Sequence, residues 1–214
     1  KLQNSLEYGL DAGCGPMTNE NLFADFAKRW LALDHSTESF KDGGAGNKIQ
    51  RTIGDLGALP ISGDKMDVIL LLDVLEHVKN ETGVLTELRR VLKSGGMLLI
   101  SVPAFDCLWS LHDEQAGHQR RYCGGELKAL CRDLGFEIID DRYFNSFFFL
   151  PIYAVRKILK ILPKGKERLE MNLSPGFLDL PLYLMLKLEN FINLSLFRLP
   201  FGTSFILLLR KNDV

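Results

Sequence analysis

With 214 residues, 46% hydrophobic and 25% charged, the chain has the size of one α/β domain with room for an appended subdomain, and too much apolar content to remain disordered. Its 26 basic and 27 acidic residues leave a net charge of -1, so there is no global attraction to nucleic acid and none is expected as a partner. The four cysteines (Cys14, Cys107, Cys123 and Cys131) make no CxxC pair or disulfide framework, which favours a reducing cytoplasm, and no uncharged apolar run reaches the ~18 residues of a spanning helix.

Apolar runs bounded by turn residues predict strands over 8–11, 30–34, 49–53, 66–72, 96–102, 136–144 and 203–210. Helical patterns fall between them, over 19–29, 81–93 and 126–134. In the second of these, Leu85, Leu88, Val91 and Leu92 share one face. Gly95-Gly96 is expected to cap that helix, and Gly135 the next. Strands alternating with helices predict an α/β fold around a parallel, doubly wound sheet.

The first strand runs into Leu10-Asp11-Ala12-Gly13-Cys14-Gly15-Pro16, a glycine turn opening toward a helix. Two glycines let the backbone approach a ligand, and Asp34, 23 residues after Asp11, can accept hydrogen bonds from a ribose. The nicotinamide fingerprint GxGxxG fails because its third position is Thr18, and Met17 stands where a GxGxG pattern would end. Acidic groups recur at strand ends: Asp34, then Asp55 in Gly54-Asp55-Leu56, then Asp73 in Asp73-Val74-Leu75-Glu76-His77. In an open α/β sheet that edge is where ligands bind.

These segments together, LDAGCGP, LALD, GDLGALP, MDVILLLDVLEHV and LRRVLKSGGMLLISVP, resemble the class I S-adenosylmethionine-dependent methyltransferases, in particular the bacterial methyltransferase-11/23-like branch. The resemblance covers residues 8–144 and returns near Phe205. It implies a Rossmann-like, seven-stranded sheet with an antiparallel last strand. It also implies S-adenosyl-L-methionine as cofactor, with S-adenosyl-L-homocysteine as product. By position, Gly13, Cys14 and Gly15 would lie at the methionine part, Asp34 at the ribose, Asp55 and Leu56 at the adenine, and Asp73 and Val74 beside the sulfonium, with Asp11 and His35 also among the cofactor-binding residues. Transfer to oxygen of a small or lipid-like acceptor is the expected activity. A non-catalytic cofactor-binding or membrane-associated module and a nicotinamide-dependent oxidoreductase are the alternatives.

After the fifth strand comes His112-Asp113-Glu114-Gln115-Ala116-Gly117-His118-Gln119-Arg120-Arg121-Tyr122, of the same HD…HxRRY kind as in that bacterial branch. His112 or His118 suits a general base because imidazole titrates near neutrality. Arg120 and Arg121 could hold an anionic group of the acceptor, and Arg121 and Tyr122 join the histidines as catalytic candidates. The competing reading is that these groups order the loop, with Asp113 paired to Arg121. No resident metal is expected. The two sets weighed against that are Cys107, His112, His118 and Cys123 for zinc, and Asp73, Glu76 and His77, which resembles a segment of ubiquinone-type O-methyltransferases that a divalent ion assists.

Residues 147–200 form an apolar, helical insertion before the last strand. The chain thus divides into a cofactor-binding core over 1–146, this insertion, and a final strand over 201–214. A basic link runs over 163–174. A helix apolar on nearly every side must be covered. The candidates are the domain itself as a lid, a lipid-linked substrate, the inner membrane surface met peripherally, or a second copy in a homodimer.

Overall fold

Strands rich in Leu, Ile and Val are stable where their faces are covered, and the central strands of this sheet bury one face fully and the other in part. The computed structural model describes residues 6–16, 23, 25–37, 49–161 and 179–212. The strands are β1 (Tyr8–Ala12), β2 (Arg29–Asp34), β3 (Ile49–Ile53), β4 (Met66–Leu72), β5 (Leu92–Pro103), β6 (Phe136–Phe144) and β7 (Ser204–Lys211). They form one sheet in the order β3-β2-β1-β4-β5-β7-β6. The pairs from β3 through β5 are parallel. β7 lies antiparallel between β5 and β6. Strand order reverses between β1 and β4, so a crevice opens at their carboxyl ends. This is the doubly wound sheet that the strand-helix alternation predicts, with the antiparallel last strand that the resemblance implies.

Successive residues of a strand point to opposite faces. On one face Leu10, Ala12, Leu33, Ile69, Leu71, Leu98 and Ile100 pack against Leu85, Leu88 and Val91 of α1 (Glu81–Val91) and Leu127 and Cys131 of α3 (Gly124–Asp133). On the other, Trp30 and Leu70 pack with Ala27, Phe23 and Ile49. A short helix, α2 (Leu111–Ala116), follows β5. Between β6 and β7 lie α4 (Phe149–Ile161) and α5 (Asp179–Ser195).

Two expectations are corrected, and others fall outside the described residues. The helix expected over 81–93 stops at Val91, because Leu92 is fully buried in the core and turns into β5. Gly95 therefore caps nothing. Its φ of 71° serves the irregular start of β5, where pairing shifts from Met66↔Leu92 to Val68↔Met97. The helix expected over 19–29 lies mostly outside the described residues, and Arg29 already belongs to β2. Met17, Thr18 and the basic link over 163–174 are likewise outside them.

Candidate active site

The glycine turn sits at the head of β1, against its neighbours β2 and β4. Gly13 has φ 80°, and a Cβ there would stand 2.6 Å from a methyl of Val74, so only glycine fits. The N–H groups of Gly13 and Cys14 both donate to the Leu33 carbonyl, at 2.7 and 3.1 Å, which folds the turn over β2. The Gly15 N–H donates to Asp34 Oδ2 at 2.9 Å, and the Ser36 N–H donates to Asp34 Oδ1 at 2.9 Å. His35 Nδ1 lies 3.2 Å from the same carboxylate with its ring in solvent. At the end of β4, Asp73 takes the left-handed conformation, φ 52°. Its N–H donates to the Ser101 carbonyl and its Oδ1 accepts from Ser101 Oγ at 2.9 Å. A non-glycine residue in that region stores strain and is most often met at functional sites.

These elements surround a cleft of about 930 Å³. Eight of the ten expected cofactor residues line it: Gly13, Gly15, Asp34, His35, Asp55, Leu56, Asp73 and Val74. The sequence reading missed Ile53, Gly54, His77, Val78 and Val84, which complete the lining. The volume falls at the upper end of small-molecule sites. The glycine turn, a nearly buried carboxylate at the second strand and a further carboxylate after the third together fit a nucleoside-bearing cofactor.

Asp11 and Cys14 do not line the cleft. Burial, reinforced by the charge of Asp34, pushes the Asp11 carboxyl up to about 6. Burial and the same two carboxylates push the Cys14 thiol up to about 12, so it stays a neutral thiol. Cys14 contributes its backbone to the turn.

Beside the cleft the HD…HxRRY segment folds around one carboxylate. Asp113 is fully buried, in the first turn of α2. Its oxygens accept from the Ser110 N–H at 2.9 Å and from Arg121 Nε at 2.8 Å and Nη2 at 3.1 Å. Burial alone would raise this carboxyl, but the hydrogen bonds and charge of Arg121 overcome it and hold it at about 2. Asp113 Oδ1 also meets His118 Nδ1 at 2.9 Å, which fixes the imidazole and leaves Nε2 for other partners. The His118 ring meets the edge of His77 at 4.8 Å between centroids, and His77 lines the cleft. Desolvation and the neighbouring His118 lower the His77 pKa.

The remaining catalytic candidates are placed elsewhere. His112 is exposed, 6.4 Å from His118 between ring centroids, and off the cleft lining. Arg121 is buried, and its Nη1 also donates to the Ala104 carbonyl at 3.1 Å. Tyr122 is buried with its hydroxyl 2.7 Å from Glu81 Oε2 and 3.2 Å from the Leu75 carbonyl. Arg120 pairs with Glu81 at 3.0 Å. Arg121 thus makes the pair with Asp113 that the loop-ordering alternative names, whereas Tyr122 bonds outside the segment, to Glu81 and Leu75.

Glu76 follows in the short turn after β4 and is only 1% exposed. Its Oε2 meets no hydrogen-bond partner among the described residues. Burial, with the charge of Asp73 adding to it, pushes its carboxyl up to about 7. Glu76, His77 and His118 are the one group of potential metal donors gathered within 4.8 Å among the described residues. Neither set weighed from the sequence converges in that way: Cys107 and Cys123 are exposed and outside the group, and Asp73 is bonded to Ser101.

The raised Glu76 carboxyl has a consequence for stability. Its folded pKa lies above the ordinary 4.5, so its contribution is full below about 4.5 and is lost as the pH rises through about 7. Glu76→Gln carries no such loss. Relative to the parent, this variant is expected to gain about 2 kcal/mol more at pH 8 than at pH 5, read from urea denaturation at both values. A difference independent of pH would refute the raised carboxyl.

Residues 10–100 match the family described as a methyltransferase domain. A probable S-adenosylmethionine-dependent methyltransferase of Mycolicibacterium smegmatis is 31% identical over 134 residues, covering 61% of this chain and 52% of that protein. A malonyl-[acyl-carrier protein] O-methyltransferase of Hamiltonella defensa is 30% identical over 129 residues, covering 57% of this chain and 50% of that one. The chain thus spans about half the length of these curated relatives. Among solved structures, a protein from Bacillus halodurans superposes with a TM-score of 0.64 at 18% identity, covering 97% of this chain and 93% of that one, which shows the shared fold.

Proposed function

We propose that this chain, a member of the class I S-adenosylmethionine-dependent methyltransferases, transfers a methyl group to an oxygen of a small or lipid-like acceptor. The observation that carries the reading is the lining of the cleft, where the glycine turn and three strand-end carboxylates meet His77, with the His118–Asp113 pair directly behind it. When bound, S-adenosylmethionine supplies a methyl group on a positively charged sulfur, activated for in-line displacement. The oxygen assignment draws further support from the O-methyltransferase relative.

Each residue then has a role set by its place. The turn at Gly13 and Gly15 lets the backbone lie close beneath the methionine part. Asp34 accepts from the ribose hydroxyls. Asp55 accepts from the adenine amine, with the Leu56 backbone beside it. Asp73 and Val74 form the floor on the reacting side. Holding the reactants in line can supply roughly 7–11 kcal/mol of the barrier. His77 on the cleft wall and His118, oriented by Asp113 and packed edge-on against it, supply the base for the acceptor's hydroxyl proton. A positioned base contributes roughly 10²–10⁴-fold.

The test uses methyl-labelled S-adenosylmethionine with fractionated aqueous and lipid extracts. Label is expected in an oxygen-linked product, at a single-turnover rate lowered roughly 100-fold by His118→Gln. Label on nitrogen or carbon would overturn the acceptor assignment. An unchanged rate in His118→Gln would remove the base. Cofactor binding with no labelled product from any fraction would favour a non-catalytic module. Chelation is expected to leave the rate unchanged. Loss of activity restored by a divalent ion would instead assign Glu76, His77 and His118 to a metal.

A further inference from the structure

A helix on the surface of a globular domain ordinarily buries its apolar stripe and turns polar residues to water. α5 does the reverse. Its fully buried residues are Glu189 and Asn193. Glu189 accepts from the N–H groups of Ser146 and Phe147, at 2.8 and 3.0 Å, in the chain that leads into α4. Asn193 donates to the Tyr143 carbonyl at 2.6 Å and accepts from the Leu199 N–H at 3.2 Å, and its own carbonyl accepts from Arg142. With helical spacing, Leu180, Leu184, Leu188 and Phe191 form a stripe on the opposite side, and each is between 54% and 65% exposed. Leu196 and Phe197, just past the helix, are 64% and 60% exposed. On α4, Leu150 and Ile158 stand two turns apart at 64% and 58% exposed.

The helix is therefore fastened by a polar latch and presents its apolar face outward. Sequence hydrophobicity alone does not require this, since the same helix rotated by half a turn would bury those leucines. An apolar face on this scale marks an interaction site. Two details indicate its occupant. Lys187 lies 4.8 Å over the ring of Tyr183, and Lys157 lies 5.5 Å over that of Tyr153. Tyrosine with a long cation beside it suits the boundary between hydrocarbon and headgroups, where the stem is covered and the charge reaches outward. The stretch from 156 to 170 carries six basic residues against two acidic, in a chain of net charge -1. A second copy of the same face would set Lys157 and Lys187 against like charges, whereas an anionic leaflet complements them. Among the described residues no helix is long and apolar enough to cross a membrane, so the contact is one of lying on the surface.

We propose that the outward faces of α4 and α5 dock this protein peripherally onto an anionic lipid surface. The proposal is independent of the methyl-transfer reading. Its test is flotation of the full chain with vesicles of phosphatidylcholine alone or containing phosphatidylglycerol, at low salt and at ~0.5 M salt. Binding is expected with the anionic vesicles at low salt and is expected to fall at high salt. Leu184→Ser/Phe191→Ser changes only exposed side chains, so its thermal melt should match the parent while vesicle binding is lost. Lys157→Glu/Lys187→Glu should lower binding to anionic vesicles by roughly tenfold or more and leave the fold intact. Folded parent that fails to float with anionic vesicles at low salt overturns the proposal. So does equal binding by Leu184→Ser/Phe191→Ser, or a stable dimer that this same pair of substitutions dissociates.

Discussion

Asp34→Ala is expected to weaken S-adenosylhomocysteine binding by roughly 10²–10⁴-fold in calorimetry, because two charge-assisted hydrogen bonds at about 1.5–3 kcal/mol each disappear together. The side chain is held ready for that task. Gly15 and Ser36 N–H groups donate to its two oxygens at 2.9 Å each, and the carboxylate is nearly buried at the rim of the cleft. A preformed acceptor of this kind loses little freedom when a ribose arrives. The same two N–H groups are also what a variant unsettles, so Asp34→Asn is the control. It keeps the shape and one acceptor oxygen, so it should lower the melting temperature less than Asp34→Ala does while losing most of the affinity. Binding within threefold of the parent in both variants would place the ribose elsewhere and remove the main support for the cofactor assignment.

Why Asp34 could be found in the sequence, and Glu189 could not, follows from range. Asp34 ends an apolar run 23 residues after Asp11, and parallel pairing of β1 with β2 in register, Ala12 against Leu33, brings both carboxylates to one edge. Strand ends of a doubly wound sheet gather local motifs at one place, so LDAGCGP, LALD and GDLGALP could be assembled by order alone. His77 was visible as part of DVLEH, but its place on the cleft wall depends on the turn after β4 and the strained backbone at Asp73. His112 and His118 are indistinguishable by type and spacing. Only the fold of α2 separates them, by giving His118 the buried Asp113 and leaving His112 in solvent. Gly95-Gly96 misled because a glycine pair ends helices and also relieves irregular strand starts, and burial of Leu92 decides between the two. For α5, the alternation of leucines predicts a helix but not which way it faces. That is set by the contacts of Glu189 and Asn193 with backbone more than 40 residues away.

Arg121→Leu tests the other half of the site, and its effect should appear in stability before it appears in binding. Arg121 and Asp113 form a buried pair with two hydrogen bonds, and removing one member of such a pair costs roughly 3–5 kcal/mol because the other charge is left stranded. Against the 5–15 kcal/mol typical of whole domains, that loss should be plain in urea denaturation at pH 7. The sign of its pH dependence follows from Asp113. In the parent this carboxyl sits at about 2, below its ordinary 3.8, so it stabilises the fold above the ordinary value and that contribution fades as the pH falls toward 2. In the variant the stranded carboxyl no longer has the guanidinium to hold it down, and burial opposes its ionisation. The gap between parent and variant should therefore be widest near neutrality and narrow through the acid range. Asp113→Asn/Arg121→Leu should recover part of the loss, since no buried charge remains. Arg121 does not line the cleft, so S-adenosylhomocysteine affinity of the folded variant should match the parent. Its single-turnover rate should fall nonetheless, because His118 takes its orientation from the carboxylate that Arg121 fixes. A loss of cofactor affinity as large as the loss of rate would contradict this division between a cofactor wall and a histidine held from behind.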